Sequence, residues 1–162
     1  MIRLSVSKAA KTNTYQKLQF SRHWRRGFSA SATGDDKPKG IAYSNLTVGI
    51  PKETYPLEKR VAATPETVGK LVKPGFSVVV EKDAGLASHF KNEDYEAAGA
   101  TLVDKADVWK NSDIVMKLRP PSTEEATALE DKTLISFIWP AQNKDLVKQL
   151  EDQKSTVFAM DC

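Results

Sequence analysis

The chain has 162 residues, 40% of them hydrophobic and 28% charged, a composition that supports one domain with a buried core and excludes disorder throughout. Its single cysteine, Cys162, excludes a disulfide framework and a thiolate metal site, and the most apolar stretch, Thr133 to Ala141, is about half the ~20 residues a membrane span needs. The net charge of +3 is unevenly spread: residues 1–34 hold seven Lys/Arg and no acid, which leaves 17 basic against all 21 acidic residues, a net of −4, and sets nucleic-acid binding aside.

The first 34 residues combine Arg, Lys and hydroxyl side chains without an acid, the composition of a mitochondrial transit peptide. Written as a helix, Ile2, Val6, Ala9 and Ala10 share one face and Arg3, Ser7 and Lys11 another, although Leu4 falls on the wrong side. Arg26-Gly27-Phe28-Ser29 resembles a matrix-processing site. The competing interpretation is a basic tail on a cytosolic protein. Residues 35–45, with Asp35, Asp36, Pro38 and Gly40, read as a linker into a folded part spanning 46–162.

That part alternates strands and helices. Leu46 to Ile50 is a short β-rich run closed by Pro51. Thr64-Pro65-Glu66 supplies a capping hydroxyl, a first-turn proline and an early acid, and Val68, Leu71 and Val72 follow at helical spacing until Pro74-Gly75. Phe76 to Val80 is the near-continuous apolar run of a strand covered on both faces. A helix is predicted at Asn92 to Ala98, a strand at Thr101 to Val103 and a helix at Lys105 to Lys110. Strands at 113–118, 133–138 and 156–160 alternate with helices at 123–129 and 143–151. The expected fold is α/β, a doubly wound, mostly parallel sheet in a flavodoxin-like three-layer domain.

Ligands in such sheets sit beyond the carboxyl ends of the strands, which here brings forward Pro51-Lys52-Glu53 and Arg60, Lys117 with Arg119, and Trp139-Pro140. The eight glycines include no pair two apart, so this sheet lacks the turn that admits a dinucleotide pyrophosphate, and no cofactor-binding residue is assigned within the chain. The loop Lys82 to Gly85 has an anion-binding alternative to its reading as an ordinary turn. His89 is read as a solvated loop residue, and Glu93, Asp94 and Glu96 as acids favouring a helix N-terminus. No catalytic residue and no metal ligand is assigned. Arg60 and Lys117 are the candidates for holding a carboxylate or other anion, against the alternative that each pairs with Glu53 or Glu58 at the surface.

VGIPKE at 48–53 and EKRVAATP at 58–65, then GFSVVVEKDAGLASHF, DYEAAGA and SDIVMKLRPP, resemble in order the N-terminal domain of the alanine dehydrogenase and pyridine nucleotide transhydrogenase family, from residue 46 to the end. Asp83 stands where that family usually has glycine, and aspartate tolerates the left-handed turn. The resemblance implies that, in the alanine dehydrogenase branch, Arg60 and Lys117 would grip a substrate carboxylate while a histidine assists proton transfer. Trp139 stands at that histidine's place, and an indole exchanges no proton near neutral pH. LISFIWPAQN, with AMD near the end, instead resembles the animal-type mitochondrial transhydrogenases.

The expectation is therefore a fragment of the NAD(H)-binding domain of a proton-translocating NAD(P) transhydrogenase, on the matrix side of the inner mitochondrial membrane and too short to be active alone. By resemblance, NAD and NADP would serve the full-length protein and none would bind tightly to this fragment. Its partners would be the remaining domains, namely the glycine-rich NAD sheet, the membrane domain and the NADP domain, in a homodimer. The alternatives are a fragment of a matrix alanine- or lysine-type dehydrogenase, and a non-catalytic partner-binding module marked by exposed apolar surface.

Overall fold

A computed structural model describes residues 40–162; the transit-peptide reading of residues 1–34 lies outside the described residues. Six strands form one all-parallel sheet: β1 (Thr47–Ile50), β2 (Ser77–Glu81), β3 (Thr101–Val103), β4 (Ile114–Met116), β5 (Thr133–Ser136) and β6 (Thr156–Ala159). Between them run α1 (Pro65–Val72), α2 (Asn92–Ala97), α3 (Lys105–Asn111), α4 (Thr123–Thr127) and α5 (Lys144–Asp152). This is the expected doubly wound α/β architecture. The spatial order is β3-β2-β1-β4-β5-β6, so the direction of winding reverses between β1 and β4.

Local chemistry explains the element ends. The Thr64 hydroxyl accepts the Thr67 N–H at 3.3 Å and Pro65 opens α1. Ser122 and Glu125 cap α4 reciprocally, Ser122 N–H donating to Glu125 Oε2 at 3.0 Å and Glu125 N–H to Ser122 Oγ at 3.2 Å. Gly99 closes α2 with φ +94, a conformation that costs a residue with a Cβ. Within the expected linker, Tyr43–Asn45 forms a 3-10 turn whose Tyr43 ring stacks on Phe76 with centroids 4.5 Å apart.

Two apolar clusters flank the sheet. One gathers Val48, Ile50, Val68, Val78, Val80 and Tyr95 beneath α1 and α2, and the Tyr95 hydroxyl donates to Ala63 O at 2.9 Å. The other gathers Trp109, Val115, Ala126, Leu129, Leu134 and Leu150 under α3, α4 and α5. Side chains alternate across a strand, so Ile135 and its register partner Phe158 face away from this second cluster, and Phe158 and Met160 stay exposed. Among the described residues no helix is long and apolar enough to cross a membrane.

Candidate functional site

The reversal between β1 and β4 opens the sheet's carboxyl edge, and acidic and basic side chains alternate through it. Pro51 carries the chain off β1 and Glu53 turns back over β4. Its Oε1 accepts Leu118 N–H at 2.6 Å, while Oε2 takes Arg119 N–H and Lys117 Nζ, both at 3.3 Å. Lys117 therefore does not point to solvent: its side chain is 1% exposed and its ammonium lies 3.4 Å from Glu125 Oε2 on α4. Glu125 is itself buried, accepts from Thr54 Oγ1 at 3.5 Å, and lies 3.7 Å from Lys105 Nζ. A buried ammonium between two buried carboxylates carries a net charge of −1, which Lys105 offsets from the rim.

A second cluster adjoins the first through Arg119. The Glu58 carboxylate receives Arg60 Nε and Nη2, each at 2.7 Å, and Arg119 Nε at 2.7 Å. The Arg60 hydrogen bonds above all, then the one from Arg119, hold this carboxyl well below the usual carboxylate range against the opposing effect of burial. Glu58 in turn raises the Arg60 guanidinium. The two candidate cations thus differ. Arg60 remains 65% exposed although paired, whereas Lys117 is enclosed. Both pair with glutamates, Arg60 with Glu58 on an exposed guanidinium and Lys117 with Glu53 in the interior rather than at the surface.

Arg119 also lies between two rings, its Cζ 5.2 Å from the Tyr55 centroid and 5.0 Å from that of Trp139, with the rings edge-on at 6.0 Å. Beside them Pro120, Pro121, Gln142 and Asn143 complete a cavity of about 440 Å³. Trp139 has φ +50, unusual for a bulky residue. Its N–H donates to Asp161 Oδ2 at 2.7 Å and that of Ile138 to Oδ1 at 2.9 Å, so the end of β6 holds the turn after β5. The same two bonds lower the Asp161 carboxyl from its ordinary value, Ile138 foremost.

The geometry does not suit a dinucleotide at this edge. Pro51 has no N–H, the Lys52 N–H is taken by Glu81 Oε2 at 2.9 Å, and the Glu53 carboxylate occupies the amides of 118 and 119. A pyrophosphate there would meet carboxylates. The loop at 82–85 fares no better as an anion cradle: Lys82 N–H donates to Val103 O, Asp83 N–H to Asn92 Oδ1 and Ala84 N–H to Glu81 O. Asp83 does adopt the left-handed turn, with φ +62, and its Oδ1 accepts from Asn92 Nδ2 at 2.8 Å. His89 is exposed, and Asp94 accepts the Lys91 N–H at 2.9 Å as a helix-capping acid. Among the described residues no cluster of three His, Cys, Asp or Glu could hold a metal.

Sequence reasoning missed Glu125 and Tyr55. The S-x-x-E pattern at 122–125 signals a capping box, but not that the same carboxylate faces Lys117. Tyr55 carried no signal beyond its place after β1.

Comparison with known proteins matches residues 49–162 to the family described as alanine dehydrogenase/PNT, N-terminal domain. The NAD(P) transhydrogenase subunit alpha of Haemophilus influenzae is 43% identical over 117 residues, 72% of this chain and 23% of that protein. The alanine dehydrogenase of Staphylococcus saprophyticus is 40% identical over 111 residues, 67% of this chain and 30% of that one. A solved transhydrogenase from Sinorhizobium meliloti superposes with a TM-score of 0.68 at 38% identity, covering 71% of this chain and 33% of its own. An L-alanine dehydrogenase structure gives 0.67 at 32% identity, with 70% and 32% coverage. The chain thus spans about a quarter to a third of the length of these relatives. With the family model covering most of the chain and both branches matched at similar identity, the chain belongs to the alanine dehydrogenase/PNT N-terminal domain family.

Proposed function

We propose that residues 46–162 form the leading part of the NAD(H)-binding domain of a proton-translocating NAD(P) transhydrogenase, which passes hydride from NADH to NADP while protons cross the inner mitochondrial membrane. The observation that carries this reading is Trp139. At the crevice position where the alanine dehydrogenase resemblance calls for a histidine, the chain places an indole stacked on Arg119, which has no proton to exchange. Hydride transfer between two nicotinamides moves no substrate proton, so the transhydrogenase reaction does not need one there.

In this reading the chain's residues build and stiffen an edge rather than react. Glu53, Lys117 and Glu125 lock β1, β4 and α4 together, and Glu58 draws the 54–60 loop onto Arg119. The nicotinamide cofactors would be held by a companion glycine-bearing sheet of the full-length protein, since this edge does not suit a pyrophosphate. The exposed Phe158 and Met160 fit a face that such neighbouring domains cover in a homodimer. The basic first 34 residues support delivery to mitochondria, with this domain on the matrix side.

The test uses membranes from cells expressing the complete coding sequence, established by reading the transcript through the Cys162 codon. NADPH should form from NADH and NADP, faster under an imposed proton gradient. NADH turnover dependent on pyruvate and ammonia, without NADP reduction, would instead support the dehydrogenase reading, for which Arg60 with Lys117 and the alanine dehydrogenase relatives speak. A tagged chain that stays cytosolic and full length would defeat the mitochondrial assignment.

A further inference from the structure

Trp139 is a bulky residue held with φ +50, and something must keep it there. The backbone on either side is tied down at several points. Gln142 N–H and Asn143 N–H both donate to Trp139 O at 3.0 Å, and Asn143 Nδ2 donates to Ile138 O at 2.8 Å. These bonds close the turn into α5 but leave the amides of Ile138 and Trp139 to be satisfied. One carboxylate takes both, each oxygen of Asp161 accepting one N–H, at 2.9 and 2.7 Å. On its other side the indole meets the Arg119 guanidinium, which rests also on Tyr55 and is anchored by Glu58.

We infer that Asp161 is a positioning residue for the crevice: by gripping two successive amides it sets the left-handed turn that directs Trp139 against Arg119, so that Asp161, Trp139, Arg119 and Tyr55 move as one unit. An aspartate suits the task. Two adjacent N–H groups face two acceptor oxygens, whereas asparagine would turn an NH₂ toward one of them. The linkage ties the end of β6 to the loop after β1, elements separated in the sheet by β4 and β5. A residue that merely fastened the end of β6 would leave the indole's surroundings unchanged on removal.

The test is ¹⁹F NMR of the full chain labelled with 5-fluorotryptophan, its three resonances assigned by Trp→Phe substitutions. Trp109, 5% exposed in the core, serves as the internal control. Asp161→Asn should move the Trp139 resonance while leaving that of Trp109 in place, and Asp161→Glu, which keeps both acceptor oxygens, should return it toward the native position. Arg119→Lys keeps the charge but loses the flat stacking surface, and it should move the same resonance. The double variant should move it no further than the larger single change. A Trp139 resonance indifferent to Asp161→Asn, or single shifts that simply add, would overturn the inference. Should Asp161→Asn fail to fold, the clamp is read from the other end by hydrogen exchange in Arg119→Lys. There the Trp139 amide should exchange about tenfold faster than in the native chain if stack and clamp are one unit, and an unchanged rate would overturn the inference equally.

Discussion

Replacing Lys117 by Met is the most demanding test of the crevice. The side chain is 1% exposed and its ammonium lies 3.3 Å from Glu53 and 3.4 Å from Glu125, both carboxylates also nearly sealed from water. Methionine fills much of the same volume, so little of the loss comes from a cavity. What remains is electrostatic: two buried carboxylates with no cation between them. Glu53 keeps the amides of Leu118 and Arg119, and Glu125 keeps that of Ser122 with Lys105 at the rim, so neither is wholly stranded. Removing one partner of a buried pair costs about 3–5 kcal/mol, a large share of the roughly 5–15 kcal/mol that holds a domain of this size together. Urea unfolding at pH 7, followed by far-ultraviolet circular dichroism, should show the midpoint falling with little change of slope. Adding Glu125→Gln to Lys117→Met should recover about 1–2 kcal/mol, because one buried charge fewer then lacks a partner. A loss under about 1 kcal/mol for Lys117→Met, or a further loss in the double variant, would refute the buried triad and place Lys117 at a wet surface.

The Glu58 carboxyl, lowered chiefly by Arg60, contributes stability that is present above the unfolded carboxylate pKa and is lost as pH falls through the lower folded value. Acid unfolding curves of native protein and Glu58→Gln should therefore converge as pH drops below about 4. Tyr95 behaves in the opposite sense. Burial pushes its phenol up to about 12, so the unfolded chain releases this proton first and stability should fall as pH rises from about 10 through 12. Absorbance at 295 nm should show the late titration of Tyr95, and Tyr95→Phe should remove both it and the alkaline slope. Gly85→Ala would place a Cβ 2.7 Å from Tyr95 Cε2 and 2.8 Å from Phe90 Cβ, and should cost about 1–3 kcal/mol in the same urea assay. Gly49→Ala would meet Ser112 Oγ at 2.0 Å and Val108 O at 3.2 Å, and should separate α3 from β1 with a loss of at least the same size.

Several elements were legible residue by residue. Thr64-Pro65 starts α1 where the hydroxyl and proline require, Thr101–Val103 is the strand expected, and Asp83 takes the left-handed turn assigned to it. Such signals act within a few residues of themselves, so a linear sequence displays them. The family was legible for a related reason, because VGIPKE, EKRVAATP and their successors keep order and spacing along the chain. Strand ends were less so: 113–118 read as one strand, but although Lys117 N–H still donates across to Ile135 O on β5, the Leu118 amide is taken by the Glu53 carboxylate and the strand closes at Met116.

The sequence by itself determined the alternation of strands and helices, the lack of a pyrophosphate turn and the gathering of charge near the strand ends, because each follows from spacing, glycine and proline placement, or composition. Only the tertiary structure decided the strand order, which rests on β1 meeting β4 across some 65 residues of intervening chain, through Val48 with Ile114 and Gly49 with Val115. It also decided that Lys117 is enclosed, since its burial comes from Glu53 and Glu125 arriving from two other elements. The stacking of Trp139 on Arg119 has the same origin. Burial and long-range pairing are properties of converging segments, and no single segment records which others will converge on it.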